Sequence, residues 1–165
     1  MQVLNYKRLN SFDIKRKSLS YLFATIYAVT LIYVVFFSRR RRGMHTLFNY
    51  RSANLIPFKN KILYLSAHDY VLRGNIGYSF YSDLFGNILL FVPLPFFLSQ
   101  LAGINSFRKT VAVSAVTSFT IEIIQFISGI GIADIDDLIL NTTGACLGFL
   151  LLKLFRPDKF SINHS

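Results

Sequence analysis

Residues 19–38 contain no charged side chain. At 1.5 Å of rise per residue, twenty residues of helix span about 30 Å, the thickness of a bilayer's hydrocarbon core. Three further runs of that length follow, at about 83–102, 110–130 and 134–155. Inside lipid every backbone N–H and C=O must be satisfied within the protein, which leaves helices as the way for such runs to cross. The expectation is therefore an all-α polytopic membrane protein: one domain over 1–165, four transmembrane helices, and one long extramembrane loop at 39–82. Composition agrees, with 53% hydrophobic and 16% charged residues and a mean hydropathy of +0.44. Helices that face lipid must be apolar on their outer sides.

The net charge of +10 invites a nucleic-acid reading. Its distribution argues against that class: the basic residues stand at the ends of apolar runs, where phospholipid head groups lie. Residues 1–17 read as a short, basic, solvated tail, and Arg39–Arg42 ends the first run abruptly. That run is too long for a cleaved signal and no small-residue cleavage site follows it, so it is expected to stay as an anchor. Cys146 is the only cysteine, which rules out an internal disulfide.

Four spans put both termini on one side. That side holds 10 basic residues and the other holds 8, a near tie. The short loops discriminate better. The loop at 103–109 carries Arg108 and Lys109, whereas the connection between spans three and four is acidic. The expected orientation has both termini in the cytoplasm, against the pull of the four-arginine block.

The loop between spans one and two contains Asn54-Leu-Ile-Pro-Phe58, where Pro57 enforces an extended or turn conformation. Apolar groups at 62–65 and 70–72 suit docking on the bundle or lying in the interface. Pro93 and Pro95 predict a kink in span two. On span one, Tyr21 is expected at the interface, with Tyr27 and Tyr33 against protein.

Four of the eight acidic residues, Glu122, Asp134, Asp136 and Asp137, fall within one apolar stretch. A carboxylate at bilayer depth costs about 3 kcal/mol or more unless paired or wetted. Span two starts, span three ends and span four starts on the same side as the long loop. Counted at 1.5 Å per residue, Asp83, Asn87, Glu122, Gln125, Asp137 and Asn141 lie within about 10–12 Å of that one interface. Their spacings are i,i+4 or i,i+3, so each pair shares a helix face. Ser114 and Ser118 extend the stripe on span three. Gly144 and Gly148 form a Gly-x-x-x-Gly pair on span four that permits close helix approach.

Two readings stand for these groups. Asn87, Gln125 and Asn141 can be structural hydrogen bonds between helices. Asp134, Asp136 and Asp137 can be a solvated acidic helix start favoured by the helix dipole. Glu122 has no Lys or Arg within spans two to four placed to neutralise it, which favours a functional role. Neither calcium-loop spacing nor a nucleophile–base motif or phosphate loop occurs, and His45, His68 and His164 are isolated. No metal and no cofactor is expected.

Asn54-Leu-Ile-Pro-Phe58, Asn87-Ile-Leu-Leu-Phe-Val-Pro-Leu94, Glu122-Ile-Ile-Gln125 and Asp134-Ile-Asp-Asp-Leu-Ile-Leu-Asn-Thr-Thr-Gly144 occur in that order. In this the chain resembles the VanZ-like family of small bacterial membrane proteins, named after a teicoplanin-resistance protein. The resemblance runs from span one to span four. Two departures stand out. Pro95 stands where many relatives have Gly, and Gly129-Ile-Gly-Ile-Ala133 lacks the Arg that many carry shortly before the acidic group.

The resemblance implies a protein of the bacterial cytoplasmic membrane whose relatives reduce sensitivity to lipoglycopeptide antibiotics at the cell surface. Carried over, the family pattern falls on Asn87, Glu122, Gln125, Asp134, Asp137 and Asn141. Three functions follow as expectations. In the first, a polar pocket near the outer leaflet, formed by Asn87, Gln125, Asp134, Asp137 and Asn141, binds a membrane lipid, a lipid-linked envelope precursor or a lipophilic glycopeptide. In the second, a membrane enzyme acts on a lipid or polyprenyl-linked substrate with Glu122 as catalytic acid or base. In the third, the chain is a helix-packing partner in a larger complex.

Overall fold

The computed structural model describes residues 2–37, 53–59, 61–62, 75–129 and 133–160, with backbone alone for 2–16 and 75–80. Among these residues the protein is helical: α1 is Gln2–Ile32, α2 Asn75–Phe91, α3 Leu94–Ala102, α4 Phe107–Ile127 and α5 Ile135–Phe155. A wide π-helical turn, Tyr33–Phe37, continues α1. Four segments are long and apolar enough to cross a membrane: Lys17–Phe37, Tyr81–Ala102, Phe107–Ile127 and Ile135–Phe155.

Two boundaries differ from the sequence reading. The basic segment before residue 17 is helical and continuous with the first span; the lack of Pro or Gly there leaves nothing to stop the helix. Residues 75–82, read as loop, form the first turns of α2. Asp83 marks the start of the apolar run, but a single acid does not end a helix. The loop groups at 63–65 and 70–72 lie outside the described residues.

The kink expected in span two is a break. Proline has no N–H, and its ring blocks the preceding turn. Accordingly α2 stops at Phe91 and α3 restarts after Pro93, with Pro95 in its first turn. Phe96 N–H donates to the Pro93 carbonyl at 3.1 Å, a tightened turn. Ile88 O still accepts the Val92 N–H at 3.2 Å, whereas carbonyls nearer the end of a helix lose such partners, and Tyr27 Oη donates to one of them, Leu90 O, at 3.0 Å. The Tyr27 ring also stacks on Phe97, with centroids 5.0 Å apart. Tyr27 thus faces protein, whereas Tyr33 is exposed. At the far end of α3, Gly103 takes the left-handed conformation and closes the helix by donating to Leu98 O.

Helix α5 packs against α2, α3 and α4, while α1 touches α3. Only 6% of the first span's apolar window is buried, so α1 is peripheral. The small-residue pair explains the closeness of α5 to α2. A Cβ on Gly144 would fall on the Ile88 carbonyl, and one on Gly148 on the Val92 carbonyl. The Gly-x-x-x-Gly face is therefore occupied within the chain.

Helix α4 is polar inside and apolar outside. Thr110, Ser114, Ser118, Glu122 and Gln125 are buried, whereas Val116, Phe119, Ile123, Ile124 and Ile127 are exposed. That inversion is what lipid demands. Hydroxyls along the bundle return to the carbonyl four residues back, as Ser114 does to Thr110 at 2.7 Å and Thr117 to Val113 at 2.8 Å.

Candidate functional site

Asp134 is the N-cap of α5. Its carboxylate accepts the Asp136 N–H at 2.9 Å, satisfying one of the helix's open donors. Asp136 and Asp137 follow in the first turn, where the dipole favours negative charge. This local chemistry brings three carboxylates to the mouth of one helix.

The loop segment around Asn54 is tied to them. Asn54 N–H donates to Ala133 O at 2.9 Å, and Ile135 N–H donates to Asn54 O at 3.0 Å. Together they make a short parallel pairing of Asn54 with Asp134. The Asn54 side-chain amide also donates to Asp134 Oδ1 at 2.9 Å. Pro57 then starts a tight turn closed by Lys59 N–H to Ile56 O at 3.4 Å. The following residue, Phe58, has φ 56°. A type II turn requires positive φ there, normally from Gly or Asn, and a bulky residue in the left-handed region costs about 1–2 kcal/mol.

What offsets that cost is Asp136. Its Oδ1 accepts the Phe58 N–H at 2.6 Å, and its Oδ2 meets Lys61 Nζ at 2.8 Å. The Asp136 side chain is fully buried, with Lys61 12% exposed. Removing either partner would strand a buried charge.

Two further helices join the same layer. Asn87 of α2 donates through its amide to Asp137 Oδ1. Glu122 of α4 accepts the Asp134 N–H on Oε2 at 2.9 Å. One turn deeper, the Asn141 amide donates to Ser118 Oγ at 2.9 Å. Gln125 turns elsewhere: its Nε2 donates to Val35 O, in the π-helical turn, at 2.9 Å.

Of the residues singled out from the sequence, Asn87 pairs with Asp137 and Glu122 with Asp134. Asn141 bonds α5 to α4 beneath them, and Gln125 ties α4 to the first span. Sequence reasoning leaves Asp136, Lys61, Asn54 and the Phe58 N–H out of the candidate set. The signals are present: Asp136 lies inside the acidic group, and Asn54 and Phe58 bound the Asn-Leu-Ile-Pro-Phe motif. A counter-charge sought only within spans two to four misses Lys61, which is on the loop.

Burial pushes the Asp134 carboxyl above the usual carboxylate range; the nearby Asp137 and Asp136 add to this, while the Asp136 N–H and Lys61 oppose it. The layer is thus rich in hydrogen-bond acceptors and closely held by the loop. Among the described residues no group of three His, Cys, Asp or Glu is arranged to hold a metal ion.

Comparison with known proteins agrees with this organisation. The VanZ/LLP1 family model matches residues 23–156. Protein VanZ of Enterococcus faecium is 36% identical over 141 residues, covering 84% of this chain and 74% of that protein. No solved structure matches. The family match takes in most of the first apolar helix, the other three whole, the loop and the acidic layer, and on that evidence the chain is a membrane protein that belongs to the VanZ/LLP1 family.

Proposed function

We propose that this protein lies in the bacterial cytoplasmic membrane with both termini in the cytoplasm. In that orientation the polar layer of Asn87, Glu122, Asp134, Asp137 and Asn141 opens towards the outer leaflet. There it binds a lipid or lipid-linked envelope component and lowers the sensitivity of the cell to teicoplanin-type lipoglycopeptides. The observation that carries this reading is the convergence of α2, α4, α5 and the Asn54–Phe58 segment on carboxylates, of which Glu122 and Asp136 are buried and Asp134 and Asp137 half-buried. A bundle held only for stability gains little from buried charge, and the left-handed Phe58 is the kind of strain that gathers at functional sites.

The test is teicoplanin susceptibility in a sensitive Gram-positive host producing the chain. Wild type raises the inhibitory concentration; Glu122→Gln and Asp137→Asn, at equal membrane levels, return it towards that of the host. An unchanged response in both variants contradicts the reading.

A further inference from the structure

The Asn54–Phe58 segment is polar towards the bundle and apolar away from it. Asn54 and Phe58, at its two ends, are half-buried, whereas Leu55, Ile56 and Pro57 between them are exposed. Leu55 is 70% and Ile56 58% exposed, and no charged residue lies between Arg51 and Lys59. In water such a tip would leave two large aliphatic side chains uncovered, at a cost in hydration.

Both flanks of the tip are fixed to the protein. Asn54 N–H and C=O are bonded to Ala133 and Ile135, and Ile62 N–H donates to Phe58 O at 2.8 Å. Phe58 N–H is held by Asp136. The height of the tip follows from the same bonds. Asp134, the partner of Asn54, donates its N–H to Glu122. Glu122 stands five residues before the end of α4 at Ile127, about 7.5 Å along the helix. Helical side chains lean towards the N-terminus of their helix, which directs the Glu122 carboxylate away from that end. Above this level Ile123, Ile124, Phe126 and Ile127 are still exposed, an apolar surface of the kind a span turns to lipid. The tip therefore stands at a height where lipid still surrounds the bundle.

We infer that Leu55 and Ile56 form an interfacial anchor whose side chains enter the adjacent leaflet at the boundary of head groups and acyl chains. The depth is that of a monotopic element lying on a membrane. The backbone at Asn54 and Phe58 keeps its hydrogen bonds to the protein, as irregular structure beside lipid requires. The basic residues that flank the tip in sequence, Arg51 and Lys59, suit the lipid phosphates. The anchor is independent of which face of the membrane carries the loop and of what the carboxylate layer binds.

The chain contains no tryptophan, so a single introduced indole is an unambiguous probe. Leu55→Trp and Ile56→Trp, made separately in the full chain, are placed in phosphatidylcholine nanodiscs whose acyl chains are either plain or brominated near the carbonyl end. Ile127→Trp is the lipid-facing reference. The expected result is a blue-shifted emission from both tip variants, quenched by the brominated chains as strongly as the reference and little affected by aqueous iodide. The two variants are separate probes, so a misfolded one leaves the other to decide. Quenching by iodide and not by bromine places the tip in water and overturns the inference. Quenching by neither places it under protein and overturns it equally.

Discussion

At the end of the bundle where α4 begins, Phe149 is fully buried between Phe107 and Phe160, with ring centroids 5.4 and 5.3 Å away and both contacts edge-to-face. At the other end, α4, α5, α2 and the loop meet through carboxylates, amides and an ion pair. The two ends hold the same helices together by opposite means. Aromatic packing and the Ser99–Asn105 hydrogen bond close one end without a buried charge, so the architecture does not itself demand buried carboxylates at the other. A binding role at the polar end, as proposed, would account for their presence there.

The largest effect is expected at the polar end. Asp136→Asn should cost about 3–5 kcal/mol by stranding Lys61. The double variant Lys61→Met with Asp136→Leu should cost much less than the sum of the single changes, as a thermal-melt double-mutant cycle would show. Additive losses would mean that the ion pair is not a unit.

Between the two ends, Gly148→Leu would drive a side chain into the Val92 backbone carbonyl, separating α5 from the proline break. A loss of about 3 kcal/mol is expected, seen as a lowered melting transition in detergent that affects both ends together. A tolerated leucine would show that α2 and α5 are not so close. At the aromatic end, Phe149→Leu removes two edge-to-face contacts and should cost about 1–3 kcal/mol, without altering antibiotic response per folded molecule.

The division between what the sequence discloses and what it hides follows the range of the interactions. Four spans, a disturbance of span two at its prolines and the gathering of three helices' polar groups are legible because each follows from length, proline chemistry or a 3.6-residue period; that the disturbance is a full break rather than a kink is not. Lys61 with Asp136 and Asn54 with Asp134 join positions 75 and 80 apart, and no local pattern encodes such pairs. The Gly144 and Gly148 spacing announces a close helix; that the helix is α2 of this same chain, rather than a partner, depends on the fold. The spacing of the tyrosines suggests a place against protein for Tyr33, but that residue is exposed.

The smallest effect concerns pH. Burial raises the Asp134 carboxyl above its ordinary value, so the folded protein binds that proton more tightly than the unfolded chain does. Its contribution to stability is present at low pH and is lost as pH rises from the ordinary carboxylate value through the raised one. Asp134→Asn keeps the cap oxygen and should flatten this part of the melting-temperature profile. An unchanged slope would remove Asp134 from the titrating groups.

The most direct test of the contrast is the teicoplanin inhibitory concentration, per unit of protein in the membrane, for Glu122→Gln beside Phe149→Leu. In Glu122→Gln an amide oxygen can still accept the Asp134 N–H, so folding is retained while the carboxylate is lost. The account predicts that Glu122→Gln falls to the level of cells lacking the protein and that Phe149→Leu stays at the wild-type value. A Glu122→Gln variant with full effect, or a Phe149→Leu variant without one at normal membrane levels, would contradict the assignment of function to the polar end.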